Sequence, residues 1–413
     1  MSAVRPLPSI CLAAAGLAAF VAAAGGVRAQ TTEARDTVIL VSGKELKGRV
    51  VRVTAKQVVL RVGSVDRPIQ RAEVKQIVSV ASKHRELLAR WRDTNTDDVH
   101  ALLTLAKDAG AGGLPHETRL FLWYAALQRR DDRTIHEQLG NRQRGGKFLV
   151  AIGDRQVPFA EADALGKDFA NAWQLRSEHF ALRCAAGLRI GLDTLLELEA
   201  FYWMFHELFG EALELFELVE AIDVRVHRTR EQMPNLSNTV GAYFAVDERT
   251  LYTFAEGGRA YGLEHEATHA LLHFFFERAA KSRGALPAWL DEGWAEYMNG
   301  RVNPRAPGKP VLRERSVIGS HSQLLATLPA EDRYGVHRLL NFKYTDFGAS
   351  SGQGAKYAQS WALFRWLFEH QDPAVRALFT GYLREAAEGQ GQASTFRRIF
   401  ARMERELETA PWK

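Results

Sequence analysis

Residues 263–297 read LEHEATHALLHFFFERAAKSRGALPAWLDEGWAEY, and the fold and chemistry of the chain turn on this stretch. Its first half holds an H-E-x-x-H pattern, His265-Glu266-Ala267-Thr268-His269, in a run that is otherwise apolar (Ala270, Leu271, Leu272, Phe274, Phe275, Phe276). On a helix the two histidines share one face a turn apart. Both imidazoles can then reach one Zn²⁺ at about 2.0–2.1 Å. Glu266 turns toward the open side of such an ion, where it can take a proton from the attacking water. The apolar neighbours put this helix in a core, and polar groups on its buried side need a reason. In the second half, Pro287 suits a first helical turn and Gly300 a stop. A catalytic zinc wants three protein ligands and an open position. Glu292, with 22 residues between it and His269, can supply the third from an antiparallel helix. Glu296, one turn on, can accept the free ring N–H of a ligating histidine and fix its tautomer. His273 is a rival third ligand by its spacing, but residues eight apart lie about 12 Å apart along a helix axis. It is read instead as a satisfied histidine near the outer end of the helix.

H-E-x-x-H followed by W-L-x-E-G-x-A-x-Y resembles the gluzincin class of zinc metallopeptidases, which includes thermolysin and the aminopeptidase N family. The resemblance implies one zinc, held by His265, His269 and Glu292, with Glu266 as general base and Glu296 supporting from behind the ligands. The region from 177 to 370 is also similar to an uncharacterised family of secreted bacterial peptidase-like proteins. Its S-E-H-F strand, hairpin, H-E-x-T-H, W-L-x-E-G-x-A-E-Y and Y-A-Q-S-W occur here in that order. From the class, a tyrosine well after the third ligand donates to the oxyanion of the tetrahedral intermediate. Tyr357, 65 positions past Glu292, is comparably placed, and packing against Leu363 and Leu367 is its alternative role. In the class, an edge strand just before the metal helix pairs with extended substrate. The hairpin 241–254 holds that place, with Tyr243 and Phe244 as candidates to line substrate pockets. The G-A-M-E-N strand of the exopeptidases is missing, which leaves recognition of a free N-terminus without support.

Outward from this centre, residues 177–413 read as an α+β domain. Strands are expected at 178–184 and 221–227, a long helix at 192–216, a hairpin turning at Asp247-Glu248, and helices around 263–280, 287–299 and 355–370. Residues 36–80 alternate apolar and polar with turns at Ser42-Gly43 and Gly63-Ser64, the pattern of a small antiparallel β-barrel or rolled sheet. Residues 82–176 carry helical faces (Leu87, Leu88, Trp91; Leu102, Leu105; Leu120, Phe121, Tyr124) and read as a helical spacer, tetratricopeptide-like but without a clean repeat. Residues 1–29 have a positive Arg5, an apolar stretch from Ile10 to Ala24 and an A-x-A-like Val27-Arg28-Ala29. They read as a signal peptide cleaved near Ala29, so the protein is expected to be exported, periplasmic or secreted. Cleavage would remove Cys11 and leave Cys184 as an inert buried thiol.

The chain has 413 residues, 54 basic and 49 acidic, a net charge of +5, and 46% hydrophobic residues. That is enough to bury real cores, excludes a disordered or fibrous chain, and is too weakly basic to argue for nucleic acid. Two cysteines exclude a disulfide scaffold. The expected partner is a peptide or protein substrate, with cell-envelope contact through the N-terminal modules and oligomeric state left open. One alternative is a non-catalytic envelope protein that keeps the metallopeptidase fold and binds peptides or scaffolds partners. Another is a serine hydrolase through Ser350 in Gly348-Ala349-Ser350-Ser351-Gly352. That motif lacks the strand and parallel sheet a nucleophile elbow needs.

Overall fold

The structure is a computed structural model and describes residues 36–234, 241–280, 286–299, 316–347 and 352–412. The signal-peptide segment and Ser350 lie outside the described residues. The protein is a mixture of helices and strands, α+β.

The first module is a sheet of β1 (Asp36–Leu40), β2 (Glu45–Val53), β3 (Gln57–Val62), β4 (Val65–Gln70) and β5 (Val74–Val78), ordered β4-β3-β2-β1-β5. Among the described residues it does not close, which corrects the expected barrel. β4 exposes five of its six residues. It also carries Pro68, which has no N–H to donate and suits an edge. A register shift between Val50 and Arg52 bends β2 so that Val38, Val50, Val58, Leu60 and Ile69 gather into a small core of their own. Asp36 clamps this module to the next by accepting the backbone N–H groups of Val50 (2.6 Å) and Val80 (2.7 Å).

Four helices follow: α1 (Val80–Asp93), α2 (Val99–Ala111), α3 (Pro115–Gln128) and α4 (Arg133–Leu139). Ser79, Asp98 and Asp132 cap three of them, and Pro115 opens α3. The segment 82–176 is not purely helical, however. It contains a meander of β6 (Arg142–Arg144), β7 (Lys147–Ile152) and β8 (Arg155–Pro158), then α5 (Phe159–Leu165). Gly145 and Gly146, both at positive φ (57° and 77°), make the hairpin turn between β6 and β7.

The main sheet holds β9 (Trp173–Arg176), β10 (Phe180–Cys184), β11 (Ile222–His227), β12 (Tyr243–Ala245) and β13 (Thr250–Glu256), with β14 (Arg259–Ala260) against β13. Its order is β12-β13-β11-β10-β9, parallel in the middle and antiparallel at both edges. The crossover between β10 and β11 carries α6 (Leu188–Phe209), which starts earlier and stops earlier than its apolar pattern suggests. On the α6 side stand α7 (Leu263–Ala280), α8 (Ala288–Asn299), α9 (Ser316–Thr327), the short α10 (Val336–Leu339) and α11 (Tyr344–Phe347), α12 (Gln353–Phe368) and α13 (Pro373–Ala387). One continuous core runs from Val80 to Trp412, so the helical layer shares its interior with the C-terminal domain.

A buried ionic network sits where these layers meet. His179, after β9, donates from Nδ1 to Glu199 of α6 at 2.7 Å, and its backbone N–H reaches the same carboxylate at 2.6 Å. His84 of α1 faces Glu117 of α3 at 3.3 Å and accepts the Trp203 indole N–H at 3.2 Å. Arg49 of the first sheet bonds Glu217 at 2.9 Å. Burial works against the His179 imidazolium, but Glu199 and Glu217 outweigh it and raise its pKa to about 9. Glu199 and Glu217 are each held down to about 2, the cationic partners overcoming burial.

Candidate metal centre

The floor of the site is made by packing. α7 buries Ala267, Ala270, Leu271, Leu272 and Phe276 and stacks Phe275 on Phe205 of α6 (5.8 Å), and α8 buries Trp289, Leu290, Trp294 and Met298. Trp294 stacks on Phe205 of α6 (5.8 Å) and packs on Phe364 of α12 (5.3 Å), which fixes α8 between them. Gly293 lets α12 come close: a Cβ there would lie 2.5 Å from the Ser360 carbonyl oxygen. This contact sets the height of Glu292 above α7.

The two imidazoles and the carboxylate expected from the sequence converge. Nε2 of His265 and Nε2 of His269 are 3.1 Å apart, and Glu292 Oε2 is 3.4 Å from the first and 3.6 Å from the second. The outer ring nitrogens are both engaged: His265 Nδ1 lies 3.1 Å from Glu296 Oε1, and His269 Nδ1 lies 2.9 Å from Asp291 Oδ1. A carboxylate only accepts, so both Nδ1 atoms carry the hydrogen, and in the neutral rings both Nε2 atoms present lone pairs to each other. Glu292 Oε2 is buried without a hydrogen-bond partner. Three donor atoms ~2.0–2.2 Å from a tetrahedral ion stand about 3.3–3.5 Å apart. These donor types at this spacing fit a zinc ion.

Without a cation this arrangement draws protons instead. Burial disfavours a charged His265, yet the Glu296 charge and the bonds to Glu292 and Glu296 raise its pKa to about 10. His269 is raised in the same way by Asp291 and Glu292 against burial. Burial would raise Glu292, but the positive charge drawn to His265 and His269 beside it holds it down to about 2. Glu266 moves the other way: burial raises it, while the histidines pull it back. Its Oε2 accepts the Phe244 N–H at 3.0 Å, so the edge strand β12 holds the carboxylate beside the imidazoles.

Glu296, beside His265 through Oε1, also bridges to His321 of α9, whose Nε2 lies 3.0 Å from Oε2. Tyr357 of α12 comes beside the site, its ring 6.4 Å from that of His265. Burial, then the charges of Glu292, Glu296 and Glu266, keep its phenol protonated. Phe244 faces α7 and packs on His273 at 5.3 Å, which places His273 outside the converging set. Tyr243 is not brought to the site. Successive strand residues point to opposite faces, and its ring stacks on Tyr252 (4.9 Å) on the far side of the sheet. Cys184 is buried, and burial pushes its thiol up to about 12.

Residues 260–390 match a protein family described as "Protein of unknown function (DUF1570)". No curated protein matches the chain. The matched stretch contains every converging side chain named above except Phe244.

Asp291, His321 and Tyr344 were missed by sequence reading. Tyr344 donates to Asp291 Oδ2 at 2.7 Å and so steadies the carboxylate that holds His269. Asp291 carried a signal, an acid next to the third ligand on the same helix. His321 and Tyr344 lie in stretches without any motif, and only the packing of α9 and α11 brings them in.

Proposed function

We propose that the protein is an exported zinc-dependent metallopeptidase that hydrolyses peptide bonds in peptide or protein substrates. The observation that supports this reading most is the pair of Nε2 lone pairs 3.1 Å apart with an unpartnered buried carboxylate oxygen beside them. His265, His269 and Glu292 would hold one zinc, which supplies Lewis-acid activation of a carbonyl and of water. Glu296 and Asp291 accept the Nδ1–H of the two imidazoles and so would aim each Nε2 lone pair at the ion. Glu266, with burial raising its pKa and the Phe244 N–H fixing one oxygen, accepts the proton of the attacking water and returns it to the leaving amine. Tyr357 is placed to donate a hydrogen bond to developing negative charge.

A protein that only bound peptides would have no use for a carboxylate poised as a base, and this favours the enzyme over the scaffold reading. Glu266→Gln is expected to keep one zinc per chain and to lower hydrolysis of a mixed peptide library at least a hundredfold. Equal turnover of wild type and variant, or hydrolysis insensitive to chelator, would overturn the assignment.

A further inference from the structure

The face of the main sheet turned away from α6 carries a second feature that the metal centre does not use. A cleft of about 800 Å³ lies among α3, the β6–β8 meander and strands β9 to β11. Five arginines line it: Arg119, Arg142, Arg176, Arg183 and Arg225. Asp223 is the one acid in the lining, and Glu248 reaches Arg225 from outside it at 3.7 Å. Arg183 and Arg225 stand directly opposite each other on parallel strands. Like charges in that register repel, and the sheet keeps both half-buried. Their field reaches the next residue on this face of β11: burial first, and then Arg225 and Arg183, push His227 down to about 4. Arg183 and Arg225 are anchored to the Phe169 carbonyl and the Tyr252 hydroxyl. Arg142 and Arg176 are exposed at the rim of the cleft.

The cleft also contains a strand edge. Among the described residues β9 pairs only with β10, so its outer side borders the cleft. Trp173 and Leu175 point to the core, whereas Gln174 and Arg176 point to the arginine face. An extended chain laid beside β9 would put every second side chain on that face. We infer that this cleft binds an extended acidic peptide segment, with carboxylates at alternating positions, as an added strand on β9. Main-chain pairing and bidentate arginine–carboxylate bonds are the two recognition elements. A sulfated polysaccharide matches the charge but has no main chain to pair with a strand.

The test uses the full chain with zinc and a fluorescein-labelled octapeptide of alternating glutamate and threonine, followed by fluorescence anisotropy. Saturable binding is expected, weakened at least tenfold between about 50 and 500 mM salt. It should be weakened at least tenfold again in Arg142→Glu/Arg176→Glu. Zinc content and melting temperature report that this variant is folded. The corresponding lysine–threonine peptide should not bind. No saturable binding, equal binding by the double variant, or binding of a sulfated polysaccharide with the acidic peptide excluded would each overturn the proposal.

Discussion

Gly293→Ala tests the geometry of the metal centre through a residue that touches no ligand atom. The new methyl carbon would stand 2.5 Å from the Ser360 carbonyl oxygen and 2.8 Å from its carbon. An ordinary carbon–oxygen approach is about 3.3 Å or more, so α8 and α12 must part by roughly 0.8 Å. Both partners are helix backbone in a packed core, so the strain falls on the helix positions and not on a rotamer. Overpacking costs about 1–3 kcal/mol. Replacing a helical glycine returns about 1 kcal/mol of propensity, which leaves a net loss of about 0–2 kcal/mol. The proposed zinc would tolerate far less, because ligand distances must hold within about 0.2 Å and a misplacement of about 1 Å would cost about a hundredfold in turnover. Zinc affinity, read by competition with a chromogenic chelator, should therefore fall at least tenfold, while denaturant unfolding of the metal-free protein changes little. A variant that binds zinc as tightly as wild type and is more stable by the propensity gain would show that α8 and α12 are not in this contact.

Other perturbations probe separate parts of the molecule. Asp291→Asn removes the acceptor of the His269 N–H and should weaken zinc by about 10–100-fold with the fold retained, measured by metal competition and circular dichroism. His179→Gln leaves Glu199 buried without its cation and should destabilise the protein by about 3–5 kcal/mol in urea unfolding. The same pair sets a pH window. Glu199 and Glu217 at about 2 contribute stability above the ordinary carboxylate pKa of about 4.3 that is lost as pH falls toward 2. His179 at about 9 contributes below its ordinary value of about 6.5 and loses its contribution as pH rises through 9. Stability should plateau between about pH 5 and 7, and in His179→Gln the alkaline loss should shrink by the share that His179 contributes, the part carried by His84, His265 and His269 remaining.

Much of the centre could be read before any coordinates. His265 with His269, and Glu292 with Glu296, share faces by helical spacing, because residues four apart lie on one side of a helix; Glu266 and the pairing of the two helices were read from the two motifs. Strands β10, β11 and β13 and helices α7, α8 and α12 are likewise visible as changes of hydrophobic period. Where sequence reading failed, a local signal had two meanings. The apolar faces in 82–176 read as helical throughout, although 142–158 forms a meander, and the alternating run 36–80 does not say whether its first and last edges meet. Tyr243 and Phe244 looked equivalent until the pleat put them on opposite faces.

The sequence by itself determined which atoms are available to bind a cation and which helices carry them, since both follow from spacing along one chain. Tertiary structure alone decided that Asp291, with Tyr344 behind it, and Glu296, with His321, hold the two rings. It also decided that the Gly293–Ser360 approach sets the position of Glu292, and that five arginines from distant segments share one cleft. These are contacts between residues tens to hundreds of positions apart. They depend on how apolar faces stack, and no local pattern encodes that distance.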